Sequence, residues 1–341
     1  MKLILTVDVE ADNQWSFNGR ISIENLRRLP RFQSMCESCG FAPTYLVAYE
    51  CLQDPDAVAS MRNWQERGSA EVGAHLEPWT TPPFTEDEIR NTAMQAFPNE
   101  LAGDWFARKL ETLTGAIQRS IGRAPRSFRA ARWGMSGPML EALFRLGYIA
   151  DCSVTPKLCW KKETGRTGGP GGPDFRRAPI APYWPSATDI CTPGCGKIVE
   201  IPVTLLYTGS WVREGSKLAR WFSCMEEGNW KRLLNRLVFK TRWLRIGPDS
   251  RFQDWAALYR AAQRNDLDVL EFMIHSSELM PGGSPFIRTE QDVDDLIGKC
   301  TAMLEYFQSR GVTGCTLEQY AVAHRERKHE SPRDGLSQPP L

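Results

Sequence analysis

Strand-like and helical segments alternate along most of this 341-residue chain, and that alternation limits the folds open to it. Stretches with helical signals, such as 99–122, separate runs that have the length and apolar content of strands. The strand-like runs are 2–9, 42–50, 69–76, 127–133, 148–155, 197–206, 269–276 and 311–320. Alternation on this scale predicts an α/β fold with a parallel sheet, more readily closed into a barrel than open.

Two segments interrupt the alternation. Residues 161–189 are rich in glycine and proline, and they predict a long loop over one mouth of the barrel. Residues 221–248 are basic, aromatic and helical in pattern, and they lie within a helical insertion that we place at 208–265. We therefore predict one barrel domain over 1–322 that contains both segments, followed by a disordered tail at 325–341.

The basic and aromatic segment 221–248 has several interpretations. It could form a lid, a groove for a partner, or a helix that lies on a membrane surface. The simplest alternative is a helical excursion that packs on the barrel and leaves its charges in water. The sequence therefore leaves peripheral membrane contact through 221–248 open.

Composition and charge narrow the class of protein. Apolar residues make up 42% and charged residues 24%, as in a soluble globular protein, and a net charge of +1 gives no overall attraction to nucleic acid. No apolar run has the ~18 residues that a transmembrane helix needs. The N-terminal MKLILTVDVE places acidic residues where a signal peptide would need small ones. We expect a cytoplasmic protein with no transmembrane segment and no nucleic-acid partner.

The ten cysteines allow two interpretations. Cys36 and Cys39 form a CxxC pair, and Cys191 and Cys195 form a CxxxC pair, so the four thiolates could bind a structural zinc ion. The alternative, reduced thiols in a cytosolic protein, fits the irregular spacing of the other cysteines.

Polar residues replace apolar ones at the ends of two predicted strands. Residues two apart on a strand point to the same face, so Asp8 and Glu10 share one face of the first strand. By the same rule His75 and Glu77 share one face of the third. Both pairs lie at the C-terminal ends of their strands, which is where catalytic residues collect in parallel barrels.

Other predicted strands end in the same way. The titratable residues at these ends are Arg129, Arg132, Asp151, His275 and Glu278. Burial of unpaired charge is costly, so such groups persist where they pair with one another or bind something. A closed ion-pair network could satisfy them, but the convergence of so many titratable groups favours a functional site.

Five short motifs in this order resemble those of the polysaccharide deacetylases, the NodB-homology family of carbohydrate esterases, and most closely its WalW-like branch. The motifs are TVDVE, GAHLEPW, FRAARWG, DCSVTP and the histidine of IHSSEL, and the resemblance runs from Leu5 to Tyr320. It implies a distorted (β/α)7 barrel that uses a divalent metal ion, usually zinc, to hydrolyse N-acetyl groups on sugars.

The resemblance assigns three catalytic roles. Asp8 matches the aspartate that serves as the catalytic base, and Arg129 matches the arginine that orients this base. His275 matches the histidine that acts as general acid.

The metal ligands depart from the family pattern. His75 matches the first metal-binding histidine, but Val9 stands where a metal-binding aspartate is usual, and Glu10 is the nearest substitute. In the register of the branch's HLHPW, Glu77 replaces the second histidine. The implied ligand set is therefore His75, Glu77 and Glu10, which could bind zinc or a harder ion such as manganese. Loss of metal binding is the alternative.

Four further residues are candidates for substrate binding. Trp79 and Trp133 offer flat faces for a sugar ring, although either could equally be barrel packing. Arg132 lies beside them in the third motif. Asp151 could contact the sugar, fix the tautomer of His275, or cap the following turn.

These features predict a metal-dependent hydrolase of carbon–nitrogen bonds other than peptide bonds. Its substrate would be an N-acylated amino sugar, such as a precursor of a surface polysaccharide, from which it removes an acetyl or similar group. The alternatives are a non-catalytic sugar-binding protein with the same fold and another NodB-type amide hydrolase, such as an allantoinase-like enzyme.

Overall fold

The computed structural model describes residues 1–163, 165–247 and 249–330, with side chains described through Arg327. The strands are β1 (Lys2–Val9), β2 (Thr44–Val47), β3 (Glu71–Leu76), β4 (Ser127–Ala130), β5 (Ala150–Asp151), β6 (Val199–Glu200), β7 (Leu205–Tyr207), β8 (Thr241–Trp243), β9 (Val269–His275) and β10 (Thr313–Gly314). The helices are α1 (Leu29–Ser38), α2 (Pro55–Glu66), α3 (Glu86–Arg90), α4 (Trp105–Ile121), α5 (Leu140–Arg145), α6 (Lys217–Cys224), α7 (Asn229–Leu234), α8 (Phe252–Arg264), α9 (Glu290–Ser309) and α10 (Leu317–Glu330). Short 3₁₀ turns occupy Gln14–Ser16, Glu24–Arg28, Tyr49–Gln53, Pro98–Glu100, Ala131–Trp133, Gly137–Met139 and Ser276–Leu279, and a π-helical turn occupies Asn235–Phe239.

Seven strands form a curled parallel sheet in the order β9-β1-β2-β3-β4-β5-β6. The short β10 also pairs with the start of β1, and β7 and β8 form a separate antiparallel pair. β6 and β9 are not paired as strands. Thr204, which follows β6, connects to β9 through one hydrogen bond, in which its backbone nitrogen donates to the carbonyl of Glu271 at 3.2 Å. This is a distorted (β/α)7 barrel, and the predicted fold class is confirmed.

The two faces of β1 have different surroundings. Leu3, Leu5, Val7 and Val9 belong to the main apolar core beneath the helices. Ile4, on the opposite face, joins a second apolar cluster that fills the N-terminal end of the barrel interior. The later residues of that face are polar, so the interior changes from apolar to titratable toward the C-terminal ends of the strands.

Register places the titratable residues side by side. Asp8 of β1 pairs in register with His275 of β9, and His75 of β3 pairs with Arg129 of β4. Because parallel strands end at the same edge, the residues just beyond them, such as Glu10 and Glu77, meet at one mouth of the barrel.

Ordinary capping signals set the ends of the outer helices. Asp54 caps α2 by accepting from the amides of Asp56 and Ala57, and Gly122 ends α4 in the left-handed conformation at φ 89°. The predicted strand at 311–320 ends early, at Gly314. The amides of Leu317 and Glu318 instead donate to side chains at the base of the barrel and begin α10.

The segments that interrupt the strand–helix alternation, and the C-terminal tail, differ in part from their predicted secondary structure. The described residues of 161–189 contain no helix or strand. The insertion at 208–265 is mostly helical but also contains β8, a strand that the pattern did not predict. Residues 325–330 of the predicted tail continue α10, and 331–341 lie outside the described residues. None of the described helices combines the length and apolar content that crossing a membrane requires.

Candidate active site

One cavity of about 430 Å³ opens at the C-terminal ends of the strands. Its lining contains nine of the ten residues that the sequence singled out as catalytic, metal-binding or substrate-binding. They are Asp8, Glu10, His75, Glu77, Trp79, Arg129, Arg132, Trp133 and His275. The structure thus brings the predicted site together, with Asp151 as the exception.

Asp8 is buried and bonded to a guanidinium. Its Oδ1 accepts from Nη1 of Arg129 at 2.5 Å, and its Oδ2 lies 3.9 Å from Nε2 of His275. Burial alone would raise the pKa of Asp8, but the positive charge of Arg129, with a contribution from His275, holds it below its ordinary value. Asp8 is therefore an ionised carboxylate whose Oδ2 is oriented toward His275.

Arg129 is fixed by more than Asp8. Its Nη2 donates to Oε1 of Glu271 at 2.5 Å and to Oγ1 of Thr6 at 2.9 Å, and its Nε donates to the Cys152 carbonyl at 3.1 Å. We call Asp8, Arg129 and Glu271 the arginine cluster. Its guanidinium is held on every side, so it can orient Asp8 without moving. The sequence pattern did not single out Glu271, because it lies in the middle of an apolar strand.

A second group of buried residues has no arginine or lysine among its members. The Nε2 atom of His75 lies 4.0 Å from Oε2 of Glu10 and 4.0 Å from Oε1 of Glu77. One donor atom from each residue lies within 4.8 Å of the others, which makes this a group that could hold a metal ion. We call these three residues the carboxylate–imidazole cluster.

Burial shifts the pKa of each member of this cluster. Burial, reinforced by neighbouring carboxylates such as Asp8, raises the pKa of Glu10 to about 8, and burial with Glu50 and Glu10 raises that of Glu77. Burial also lowers the pKa of His75 to about 4, so its ring is neutral and can offer a lone pair. Carboxylates crowded together in this way lack a positive charge, which a divalent cation would supply.

Polar residues that the sequence analysis missed surround the cluster. Gln14 donates to Oε2 of Glu77 at 2.7 Å, and Thr80 donates to the same oxygen at 3.2 Å. Ser277 donates to Oε1 of Glu10 at 3.5 Å. Glu50, buried just beyond β2, also lies close, and burial raises its pKa. The strand-end rule that found Glu10 would have found Glu50 too.

His275 is held by residues that follow it and by the insertion. Its Nδ1 lies 3.3 Å from Oε2 of Glu278 and 3.2 Å from Nη2 of Arg245, which also donates to Oε1 of Glu278 at 2.9 Å. Burial alone would lower the pKa of His275, but the charge of Glu10 and the hydrogen bond that His275 donates to Glu278 raise it above its ordinary value. Trp15 covers the ring edge-on, with the two ring centroids 5.4 Å apart.

Asp151 does not line the cavity, so of the three roles considered for it, contact with the sugar and with His275 have no support in the structure. Its Oδ1 accepts from Ser153 at 2.5 Å, and burial raises its pKa beside Glu200, whose pKa is also raised by burial and by Asp151. Burial beside a second carboxyl disfavours the ionisation of both groups at once. Glu278 and Arg245, not Asp151, contact the imidazole of His275.

Aromatic rings form much of the cavity wall. Trp133 faces Trp243 from the insertion, with ring centroids 5.6 Å apart, and Trp79 lies 6.3 Å from Phe17. Arg132 and Trp133 both have positive φ, at 51° and 64°, so the turn after β4 is strained. Arg132 stacks on Phe97, its guanidinium carbon 4.0 Å from the ring centroid.

The two cysteine motifs do not form a metal site with each other. All ten cysteines are free, and Cys36 and Cys39 are buried at the end of α1. In the part of the chain that the structure describes, the carboxylate–imidazole cluster is the only group of three or more histidine, cysteine or acidic residues spaced to hold an ion.

Comparisons with known proteins identify the fold. No protein-family model and no curated protein matches the chain. Among solved structures, a Mycobacterium smegmatis protein described as a polysaccharide deacetylase is similar at TM-score 0.52 and 17% identity, over 100% of this chain and 94% of that one. A 4-alpha-glucanotransferase from Thermococcus litoralis is similar at TM-score 0.50 and 11% identity, over 95% of this chain and 38% of that one. PuuE allantoinase is similar at TM-score 0.49 and 14% identity, over 96% of this chain and 90% of that one.

Identities this low establish the fold alone. The predicted resemblance is therefore confirmed as a resemblance of fold, while the WalW-like branch stays a prediction. This chain has the distorted barrel fold of the polysaccharide deacetylases.

Proposed function

We propose that this protein is a metal-dependent hydrolase that removes an acetyl or similar acyl group from the nitrogen of an amino sugar. The observation that carries the proposal is the convergence of an ionised Asp8, an opposed His275 and the carboxylate–imidazole cluster on one cavity. A fixed base, a fixed acid and a candidate Lewis-acid site are the groups that amide hydrolysis requires.

The cluster fits a divalent ion through the chemistry of its donors. A neutral imidazole and two carboxyl groups, whose charged forms are disfavoured by burial unless a cation is near, suit zinc or a harder ion such as manganese. Glu10, His75 and Glu77 would hold the ion, which would supply Lewis acidity toward water and the substrate's carbonyl oxygen. Gln14 and Thr80 would keep the Glu77 carboxylate in position.

Asp8 would act as the base. Arg129 occupies its Oδ1, so Oδ2 is the atom that takes a proton from the water as the water oxygen bonds to the acyl carbon. Because the arginine cluster keeps Asp8 ionised, the base is ready at neutral pH. The rigid guanidinium preserves that orientation through the reaction.

His275 would act as the acid. Its Nδ1 faces Glu278, so the proton that it can give lies on Nε2, the atom that points toward Asp8 and the cavity. As the carbon–nitrogen bond breaks, this proton passes to the amine nitrogen, which would otherwise leave as a strongly basic anion. The proton on Asp8 Oδ2 can then return to His275 or to solvent.

The wall of the cavity supports a sugar as the substrate. Trp15, Trp79, Trp133 and Trp243 present apolar rings beside polar groups at the cavity mouth, a combination that sugar rings use for binding. Arg132 is tied to Phe97 and the Gln95 carbonyl, and we propose that it orients the wall near the substrate. Ten free cysteines support a reducing, cytoplasmic compartment, where a small precursor would be met rather than an assembled polymer.

The test is an assay of acid release from N-acetylated amino sugars, including nucleotide-linked ones, with and without chelator. Asp8→Asn and His275→Ala should each lower the rate by about 10²–10⁴-fold, the usual contribution of a general base or acid. Glu71→Gln is the matched control, because Glu71 is buried but lies outside the cavity lining. A His275→Ala protein with full activity would remove His275 from the mechanism. Allantoin should also be tested as a substrate, because an allantoinase-like amide hydrolase is the alternative enzyme.

A non-catalytic sugar-binding protein is the second candidate, favoured by the replacement of the expected metal ligands with Glu10 and Glu77. A binder would retain sugar affinity in Asp8→Asn and His275→Ala and would release no acid in any form. A hydrolase loses turnover in these variants while it retains much of its substrate binding.

A further inference from the structure

The insertion exposes an unusual share of apolar surface. Half of the large apolar side chains that are exposed in the described part of the chain lie between 211 and 238. They are Trp211, Leu218, Trp221, Trp230, Leu233, Leu237 and Val238. Trp211 is 94% exposed and Trp230 is 75% exposed, so these side chains have no cover within the fold. Clustered exposed apolar surface marks an interaction site.

The exposed side chains project from a small, well-packed unit. Phe222 of α6 stacks on Phe239 at 3.6 Å between centroids, and both contact Tyr207. On the continuous helical stretch Asn229–Phe239, the exposed Trp230, Leu233 and Leu237 follow helical spacing and form one stripe. The stripe is therefore a fixed feature of a folded element.

The segment that carries these apolar residues is also rich in positive charge. Residues 211–242 contain eight lysines and arginines against three glutamates, a net charge of +5, whereas the whole chain carries +1, which leaves −4 for the remainder. Lys231 pairs with Glu227 and Arg242 with Asp254. The other six are exposed and form no ion pair with any residue that the structure describes: Arg213, Lys217, Arg220, Arg232, Arg236 and Lys240. We call these six and the seven exposed apolar residues the insertion surface.

The positive charge of the insertion surface favours some binding partners over others. A second copy that met this face isologously would place one net charge of +5 against another. Residues 331–341 carry one arginine and one aspartate, so they bring no compensating charge. A nucleic acid would match the cations but leave Leu218, Leu233 and Leu237 uncovered. An anionic bilayer suits both the cations and the apolar side chains. Its headgroups bind lysine and arginine, and leucine and tryptophan side chains bury in its acyl boundary.

We infer that the insertion surface docks on an anionic phospholipid bilayer. The insertion also supplies Trp243 and Arg245 to the cavity wall, so docking would hold the cavity mouth near the membrane. Docking of this surface requires no catalytic activity of the cavity and stands apart from the proposed hydrolase.

The test is co-sedimentation of the full chain with phosphatidylcholine vesicles that contain or lack phosphatidylglycerol. We expect binding only to the phosphatidylglycerol vesicles, weakened by salt. Trp230→Ala with Leu237→Ala should weaken binding by at least about tenfold, and Arg232→Gln with Arg236→Gln by roughly tenfold at low salt. Ile89→Ala is the apolar control, since Ile89 is 66% exposed and Leu237 is 63% exposed. Arg27→Gln is the charge control, since Arg27 is exposed and lies outside the insertion.

Three results would overturn the inference. They are equal binding to both kinds of vesicle, no binding to either, and undiminished binding by the two double variants. Concentration-dependent dimers that Trp230→Ala with Leu237→Ala abolishes, without vesicle binding by the wild type, would assign the face to self-association instead. Circular dichroism should be the same for all variants, because the altered side chains are exposed.

Discussion

Two groups of buried carboxylates lie beside each other at the barrel mouth, and they differ in how their charge is balanced. In the arginine cluster a guanidinium 2.5 Å from Asp8 holds the pKa of that carboxyl below its ordinary value. In the carboxylate–imidazole cluster the neutral His75 supplies no charge, and burial raises the pKa of Glu10 to about 8. The chain itself supplies the positive charge that pairs with the first group, whereas the second group has no such partner and could bind a metal ion.

The Asp151–Glu200 pair provides a third case. This pair is also buried and has no bonded cation. It differs from the carboxylate–imidazole cluster because its two carboxyls lie beside each other, no histidine belongs to it, and it does not line the cavity. A shared proton is enough to balance such a pair. The comparison therefore separates a carboxylate group suited to a metal from one suited to a proton.

The largest expected effect comes from removing the guanidinium. Arg129→Met leaves Asp8 and Glu271 buried without their partner, and the free energy of unfolding should fall by about 3–5 kcal/mol in urea titrations. The triple variant with Asp8→Asn and Glu271→Gln should recover much of that loss, because no charge is then left unpaired. An Arg129→Met loss below about 1 kcal/mol would mean that the arginine cluster is not held by its charges.

A smaller effect should follow from adding zinc or manganese to the metal-free protein. An ion that binds only the folded state at 100 times its dissociation constant stabilises that state by about 2.7 kcal/mol. Thermal unfolding in chelator and in excess metal measures this difference. The response should vanish in Glu10→Gln with Glu77→Gln and persist in Glu200→Gln, which alters a buried carboxyl outside the cavity. A response lost in Glu200→Gln would contradict the separation of the two carboxylate groups.

The smallest effect should come from the Asp151–Glu200 pair, through pH. Burial raises both pKa values in the folded protein above their ordinary values of 3.8 and 4.5, so the fold retains protons that the unfolded chain releases. Stability from this pair is fully present below pH 4 and is lost as pH rises through the raised values. Glu200→Gln keeps the hydrogen bonds without the charge, and should recover on the order of 1 kcal/mol at pH 8 relative to wild type. Equal pH profiles for the two proteins would exclude the shared proton.

Local patterns predicted most of the barrel. Strand–helix alternation and the apolar face of each strand specify the sheet, because each strand must bury its side chains under a helix. β8 was missed because Thr241–Trp243 lies within a basic, helical pattern and pairs with β7 only through tertiary structure. The predicted last strand failed beyond Gly314 because distant side chains at the barrel base begin α10 there.

The sequence could predict those residues of the candidate site that lie at the ends of strands. Asp8, His75 and His275 could be located because parallel strands end at one edge, and the register places Asp8 beside His275 and His75 beside Arg129. The partner of His275 was not predictable, since Arg245 arrives from the insertion and local sequence says nothing of where the insertion packs. Asp151 was misplaced because β5 is only two residues long and its side chain faces Glu200 rather than the cavity.

Metal content after purification and dialysis against zinc or manganese tests the carboxylate–imidazole cluster most directly. Elemental analysis of the wild type should give close to one divalent ion per chain, while His75→Ala and Glu10→Gln with Glu77→Gln should each retain almost none. Equally negligible metal in all three proteins, or a full complement in all three, would contradict a metal site at Glu10, His75 and Glu77.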